Sequence, residues 1–300
     1  MPEPSVTPPT SSLPATRSRG MAWGLVGVLA FSLTLPATRF AVAYLDPAFV
    51  GLGRAVVAAA LAAVALAATR TPWPGRSRLP SLALVAGGVI VGFPLLSAYA
   101  MRSVPASHGA VVVGLLPLAT AVAGALMAHE RPSRRFWACA IAGSAIVVAF
   151  ALWKGGGALH AADALLVGAV AAAAIGYAEG ARLSRTLGGW QVISWALILA
   201  APFVAAPAWL ALDARTAAAA PWTAWLAFTY VCVVSMYLGF FAWYKGLAEG
   251  GIAAVGQVQL LQPFFTLFAS ALLLGETLDA ATFIAAALVV ATIAFGRRGR

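Results

Sequence analysis

The sequence predicts an all-α integral membrane protein of ten transmembrane helices, arranged as two inverted five-helix repeats. Three observations predict it. Apolar runs of about 20 residues, the length that spans a bilayer, follow one another along the chain. Basic residues gather between alternate runs. A stretch near the middle of the chain recurs near its end.

The 300 residues are 62% hydrophobic and only 9% charged, whereas soluble domains carry about 25% charged residues. Residues 1–20, rich in Pro, Ser and Thr, read as a disordered cytoplasmic tail rather than a signal peptide. Ten spans then follow, at about 21–42, 48–69, 81–101, 107–128, 134–153, 162–183, 189–211, 222–246, 251–274 and 279–296. Turn chemistry separates them: "LDP" at 45–47, "TPWPG" at 71–75, "ERPS" at 130–133, "KGGG" at 154–157 and "AEGG" at 248–251. Ser133 and Asp279 are placed to cap the fifth and tenth spans. Residues 21–153 form the first repeat, 154–161 a linker, 162–296 the second repeat and 297–300 a basic cytoplasmic tail. Period-two alternation is absent, so a β-barrel is not supported.

The net charge of +10 suits a membrane topology rather than a nucleic-acid partner. With the N-terminus in the cytoplasm, 14 of the 19 basic residues fall inside and three outside; Arg39 and Arg54 lie within spans. That asymmetry predicts both termini in the cytoplasm and a multi-pass protein of the inner (plasma) membrane. Cys139 and Cys232 both sit in apolar runs and read as small buried residues. His108, His129 and His160 form no metal pattern. No phosphate-binding loop is present, so neither ATP hydrolysis by this chain nor any cofactor is expected. A monomer is compatible with the sequence, which leaves the number of subunits open.

The repeat is legible in "VVGLLPLATAVAGALMAHE" (112–130) and "VQLLQPFFTLFASALLLGE" (258–276), related by a constant offset of 146. Pro117 matches Pro263, Thr120 matches Thr266, and Glu130 matches Glu276. A unit of five spans is odd, so the second copy enters the membrane from the opposite side. Such inverted repeats build a midplane substrate site in secondary transporters. The repeated Glu130 and Glu276 are expected to act structurally at helix ends.

The chain resembles the EamA type of the drug/metabolite transporter superfamily. The resemblance rests on "FSLTLPATRFAVAYLDPAFVGLGRAVVAAAL" (31–61), "AMRSVPASHGAVVVGLLPLATAVAGALMAHE" (100–130) and "GLAEGGIAAVGQVQLLQPFFTLFASALLLGE" (246–276). It covers nearly all of 21–296, although "HE" at 129–130 stands where that family usually shows Gly-Glu. The resemblance implies ten helices and transport, most often export, of small metabolites. Amino-acid exporters, aromatic ones among them, are similar; drug or sugar-phosphate-like solutes are the alternative. A membrane-embedded enzyme would need clustered carboxylates or histidines, and the nine acids here are scattered. A passive channel is the other rival class. The expected partners are therefore a small-molecule substrate and the lipid bilayer.

Candidate substrate-binding residues are the polar and aromatic side chains at mid-depth. Three of the chain's four glutamines, Gln257, Gln259 and Gln262, precede Pro263 in an otherwise oily span. Each buried amide costs roughly 2–7 kcal/mol unless paired. Gln259 and Gln262 share a face, facing either substrate or another helix. Glu179, an intramembrane acid, suits a substrate ammonium or a proton, or else pairs with Arg182 or Arg185. Tyr177, Tyr237, Trp195 and, further out, Tyr99 could line a path or pack the core. Ser32 and Thr34 precede Pro36, where hydroxyls often bond their own backbone. Arg39 and Arg54 could meet a carboxylate; for Arg54 the expected partners are Asp46, helix-end carbonyls or water reached by snorkelling. Gly88 and Gly92 are spaced for close helix contact.

Overall fold

The computed structural model describes residues 14–127, 134–154, 160–250, 255 and 258–297. Every regular element among them is a helix. Among the described residues, seven helical stretches are long and apolar enough to cross a bilayer: Ser18–Ala41, Phe49–Ala68, Arg76–Ala100, Ala106–Met127, Ala161–Leu187, Gly189–Leu210 and Trp222–Gly250. Trp137–Phe150, Gln259–Leu274 and Ala280–Thr292 are shorter apolar helices. Gln257, His129, Glu130 and the expected cap Ser133 lie outside the described residues.

Prolines decide where several of these stretches break. The first divides into α1 (Pro14–Ser32) and α2 (Thr34–Ala41). Pro36 has no N–H to offer the Ser32 carbonyl, which accepts instead from the Thr266 hydroxyl at 2.9 Å. After the Asp46 carboxylate caps the N–H groups of Ala48 and Phe49, a π-helical turn at Phe49–Gly53 leads into α3 (Arg54–Ala68). The third stretch runs through α4 (Leu79–Val85), a π-helical segment (Ala86–Gly92) and α5 (Phe93–Ala100). Pro94, at the start of α5, removes a donor from the regular ladder just beyond that π segment.

Next come α6 (Ala106–Val113) and α7 (Leu116–Met127), then α8 (Arg134–Lys154), α9 (Ala161–Leu187) and α10 (Gly189–Leu210). Short α11 (Ala214–Ala219) is capped by Asp213, whose carboxyl is held below its usual range by hydrogen bonds from Thr216 and from the Arg215 N–H. A continuous stretch joins α12 (Trp222–Tyr230), a π-helical segment (Val231–Leu238) and α13 (Gly239–Gly250). Nothing in the local sequence explains this second long π segment. The chain closes with a 3₁₀ turn (Gln259–Leu261), α14 (Gln262–Leu274) and α15 (Ala280–Arg297). Helices restart at Leu116 and Gln262, each one residue before its proline. Asp279 caps α15 as expected, accepting from the Thr282 N–H at 2.9 Å.

Close packing of small residues holds the bundle together. Lipid offers apolar side chains no worse a home than protein does, so helices associate where backbones approach closely. Gly20, Gly24 and Gly27 of α1 face Gly250, Gly246 and Trp243 of α13; a Cβ on Gly246 would lie 2.7 Å from the Gly24 nitrogen. Gly88 meets α9 in the same way, with a notional Cβ 2.4 Å from the Ala172 carbonyl oxygen. Two polar clamps add to this. Glu276, following α14, accepts from the N–H groups of Ala106 and Ser107 at 2.8 and 2.9 Å, capping α6 from 170 residues away. Buried His108 meets Asp163 at 2.7 Å and joins α6 to α9.

Candidate functional site

Where α1, α2, α3, α9 and α14 meet the two long π segments, they line a partly open cavity, whose empty space is about 450 Å³ with open solvent included. Its apolar wall is built from rings on three helices. Phe31 lies 5.0 Å from Phe240 and 6.3 Å from Tyr177, centroid to centroid, and Trp243, outside the lining, lies 5.6 Å from Tyr177. All four side chains are buried. Its polar members are Thr34, Ser235, Gln262 and Arg54. The Thr34 and Ser235 hydroxyls bond each other at 2.7 Å, tying α2 to the second long π segment. A smaller pocket adjoins it, sharing Leu35, Val113 and Gln262, and is also lined by Gln259, Pro117, Pro263 and Thr266. Here Gln259 Nε2 and Gln262 Oε1 are buried with no hydrogen-bond partner.

Thr34, Tyr177 and Gln262 thus line the main cavity, and Gln259 lines its neighbour. The other candidates point elsewhere. The Ser32 hydroxyl bonds the Val28 carbonyl at 2.7 Å, the local backbone bond expected near a proline. Tyr237 bonds Ser194 at 3.0 Å and stacks edge-on with Phe241. Trp195 makes an edge contact with Trp73 at 4.9 Å, and Tyr99 is 42% exposed. Glu179 is buried against Arg182, which also donates to Ser81 at 2.8 Å. That cluster takes no part in the cavity lining.

Arg54 is the residue that sequence reasoning placed wrongly. Neither Asp46 nor water receives it. It is 2% exposed and lines the main cavity, and its Nε and Nη1 atoms have no hydrogen-bond partner. Asp46 is occupied with the backbone ahead of it. A usable signal was present in α3. Ala55, Ala58, Ala59 and Ala62 are buried while Val57, Leu61 and Val64 are exposed. The helix turns its small residues to the bundle, and Arg54 goes with them. Arg39, by contrast, is satisfied by the carbonyls of Met101 and Arg102 at 2.5 and 2.9 Å.

A site with one cation, unpaired amides and a ring-lined wall can hold a small amphipathic solute. Comparison with known proteins fits that description. Over 282 residues the chain is 46% identical to "Uncharacterized transporter YdeK" of Bacillus subtilis (strain 168), covering 94% of this chain and 98% of that protein. A crystal structure superposes with a TM-score of 0.65 at 19% identity, covering 93% of this chain and 96% of its own; at that identity it speaks for the fold alone. The model of the EamA-like transporter family matches residues 18–153 and 160–296. The chain is a membrane transporter and belongs to the EamA-like transporter family.

Proposed function

We propose that the protein is a secondary transporter or facilitator that exports amino acids or similar small metabolites from the cytoplasm across the inner membrane by alternating access. Ten spans form two inverted five-helix halves, with both termini in the cytoplasm, and the cavity is the substrate site between them. One observation carries this reading: the cavity draws its lining from both halves and leaves polar atoms there without protein partners. The packing supports the repeat. Ser18–Ala41 lies on Trp222–Gly250, and its counterpart Ala161–Leu187 lies on Arg76–Ala100. Under the offset of 146, the π segment 86–92 falls on 231–238 and the helix restart at Leu116 falls on Gln262. The basic residues support the orientation.

Flux tests it. Protein reconstituted in sealed liposomes is expected to release a loaded, labelled amino acid or related metabolite saturably, with and without a pH gradient. Non-saturating flux would indicate a channel, and no flux of any metabolite class from folded protein would remove the reading. A second expectation concerns Gln262. Gln262→Leu removes an amide that has no protein partner for its oxygen, so the fold keeps its thermal midpoint or gains slightly. Transport falls about tenfold, the loss of one substrate hydrogen bond of about 1.4 kcal/mol. Loss of the folded protein instead would make Gln262 a packing residue.

A further inference from the structure

If the protein is a transporter, as proposed above, its cavity wall also sets the electric charge of what it carries. Arg54 is a guanidinium at 2% exposure in the cavity wall, with Nε and Nη1 unpaired. A buried cation without a counter-charge is strongly unfavourable, so its anion must be found. The described carboxylates do not supply one. Asp46 holds the N–H groups of Ala48 and Phe49. Asp163 meets His108, and Glu179 meets Arg182. Asp213 and Asp279 cap their own helices, and Glu276 caps α6. Glu249, the remaining one, is absent from the cavity lining, as are all the others. Of the three hydroxyls in the lining, those of Thr34 and Ser235 are committed to each other.

We propose that Arg54 is the seat of a carboxylate brought by the substrate, and that the transported solute is an organic acid with an apolar or aromatic body. The guanidinium offers paired donors in the planar geometry a carboxylate matches. Phe31, Tyr177 and Phe240 form the wall against which the body packs. A substrate ammonium finds no carboxylate in the lining and shares the cavity with a fixed positive charge. The carboxylate is therefore required and an amine is not; a cationic solute is rejected.

Three probes with one aromatic body separate these terms: phenylpropanoate, phenylalanine and phenethylamine. Purified wild-type protein is expected to gain thermal stability with phenylpropanoate, to gain no more with phenylalanine, and to ignore phenethylamine. Arg54→Gln is expected to weaken the phenylpropanoate response roughly ten- to a hundredfold in concentration, the range for a hydrogen bond to a charged group. Without ligand the same variant melts a few degrees higher than wild type, because it lacks the uncompensated charge. Arg54→Lys keeps the charge without the fork and falls between them. A lower midpoint for ligand-free Arg54→Gln would make Arg54 a structural residue and overturn the proposal. So would stabilisation of wild type by phenethylamine as strong as by phenylpropanoate, or silence toward all three probes. Liposome flux separates this outcome from the transporter reading. A phenylpropanoate response that needs Arg54 but comes without flux keeps the anion seat and removes transport. Flux that survives Arg54→Gln unchanged does the reverse.

Discussion

Gly88→Val is expected to abolish the folded protein in detergent extracts, or to lower its thermal midpoint by the equivalent of about 3 kcal/mol, the upper end of the range for overpacking. The reason is the rigidity of what Gly88 touches. A Cβ there would lie 2.4 Å from the Ala172 carbonyl oxygen and 2.9 Å from the Gly176 backbone. No side chain can swing aside, so α9 must move away as a whole. It would take with it the contacts of Val85, Val89 and Ala173, all buried, and one wall of the cavity. A control lies one residue away. A Cβ on Gly87 meets nothing within 4 Å, and Gly87→Ala should be neutral in both yield and midpoint. Equal behaviour of the two variants would mean that Arg76–Ala100 and Ala161–Leu187 do not pack as described.

Glu276→Ala is expected to cost about 2 kcal/mol or slightly more, read as a fall in thermal midpoint. The first N–H groups of any helix lack intrahelical partners, and here the Glu276 carboxylate supplies acceptors to two of them at the start of α6. Loss of an ordinary cap costs ~0.5–2 kcal/mol. This one stands at the top of that range because Ala106 and Ser107 are buried, so water cannot replace the carboxylate, and because its charge complements the helix dipole. Glu276→Gln retains an acceptor but not the charge and should recover part of the loss. An unchanged midpoint in Glu276→Ala would show that the cap is redundant.

Much of the backbone was legible in the sequence, because hydropathy reports depth and proline reports breaks. The restarts at Leu116 and Gln262 follow from Pro117 and Pro263, and the cap at Asp279 follows from its position. The direction in which each side chain points was far less legible. In a soluble helix the apolar stripe marks the core. In a bilayer both the lipid face and the core are apolar, so that contrast vanishes. Tyr177 and Tyr237 looked alike at mid-depth, yet one lines the cavity and the other bonds Ser194. Arg54 was misread for the same reason: its distance from the helix end suggested the interface, while its azimuth aims it inward. The π segments add a further rotation that no local pattern announces.

The pairing of α1 with α13 also bears on how the chain is made. The partner of the first helix is almost the last to be synthesised. Residues 18–41 and 222–250 are separated by about 180 residues, roughly 10–40 s of elongation at ~5–20 residues per second. During that interval the strip of Gly20, Gly24 and Gly27 has no Gly246 or Gly250 to meet. Lipid tolerates such a strip well, since glycine exposes little there except backbone already bonded within the helix. The Ser32 hydroxyl, bonded to its own helix at Val28, needs no partner while it waits. Thr34, whose partner Ser235 emerges only with Trp222–Gly250, lacks that partner until then. The first helix is thus largely self-sufficient until the bundle closes around it, and the cavity comes into being only when the second half arrives.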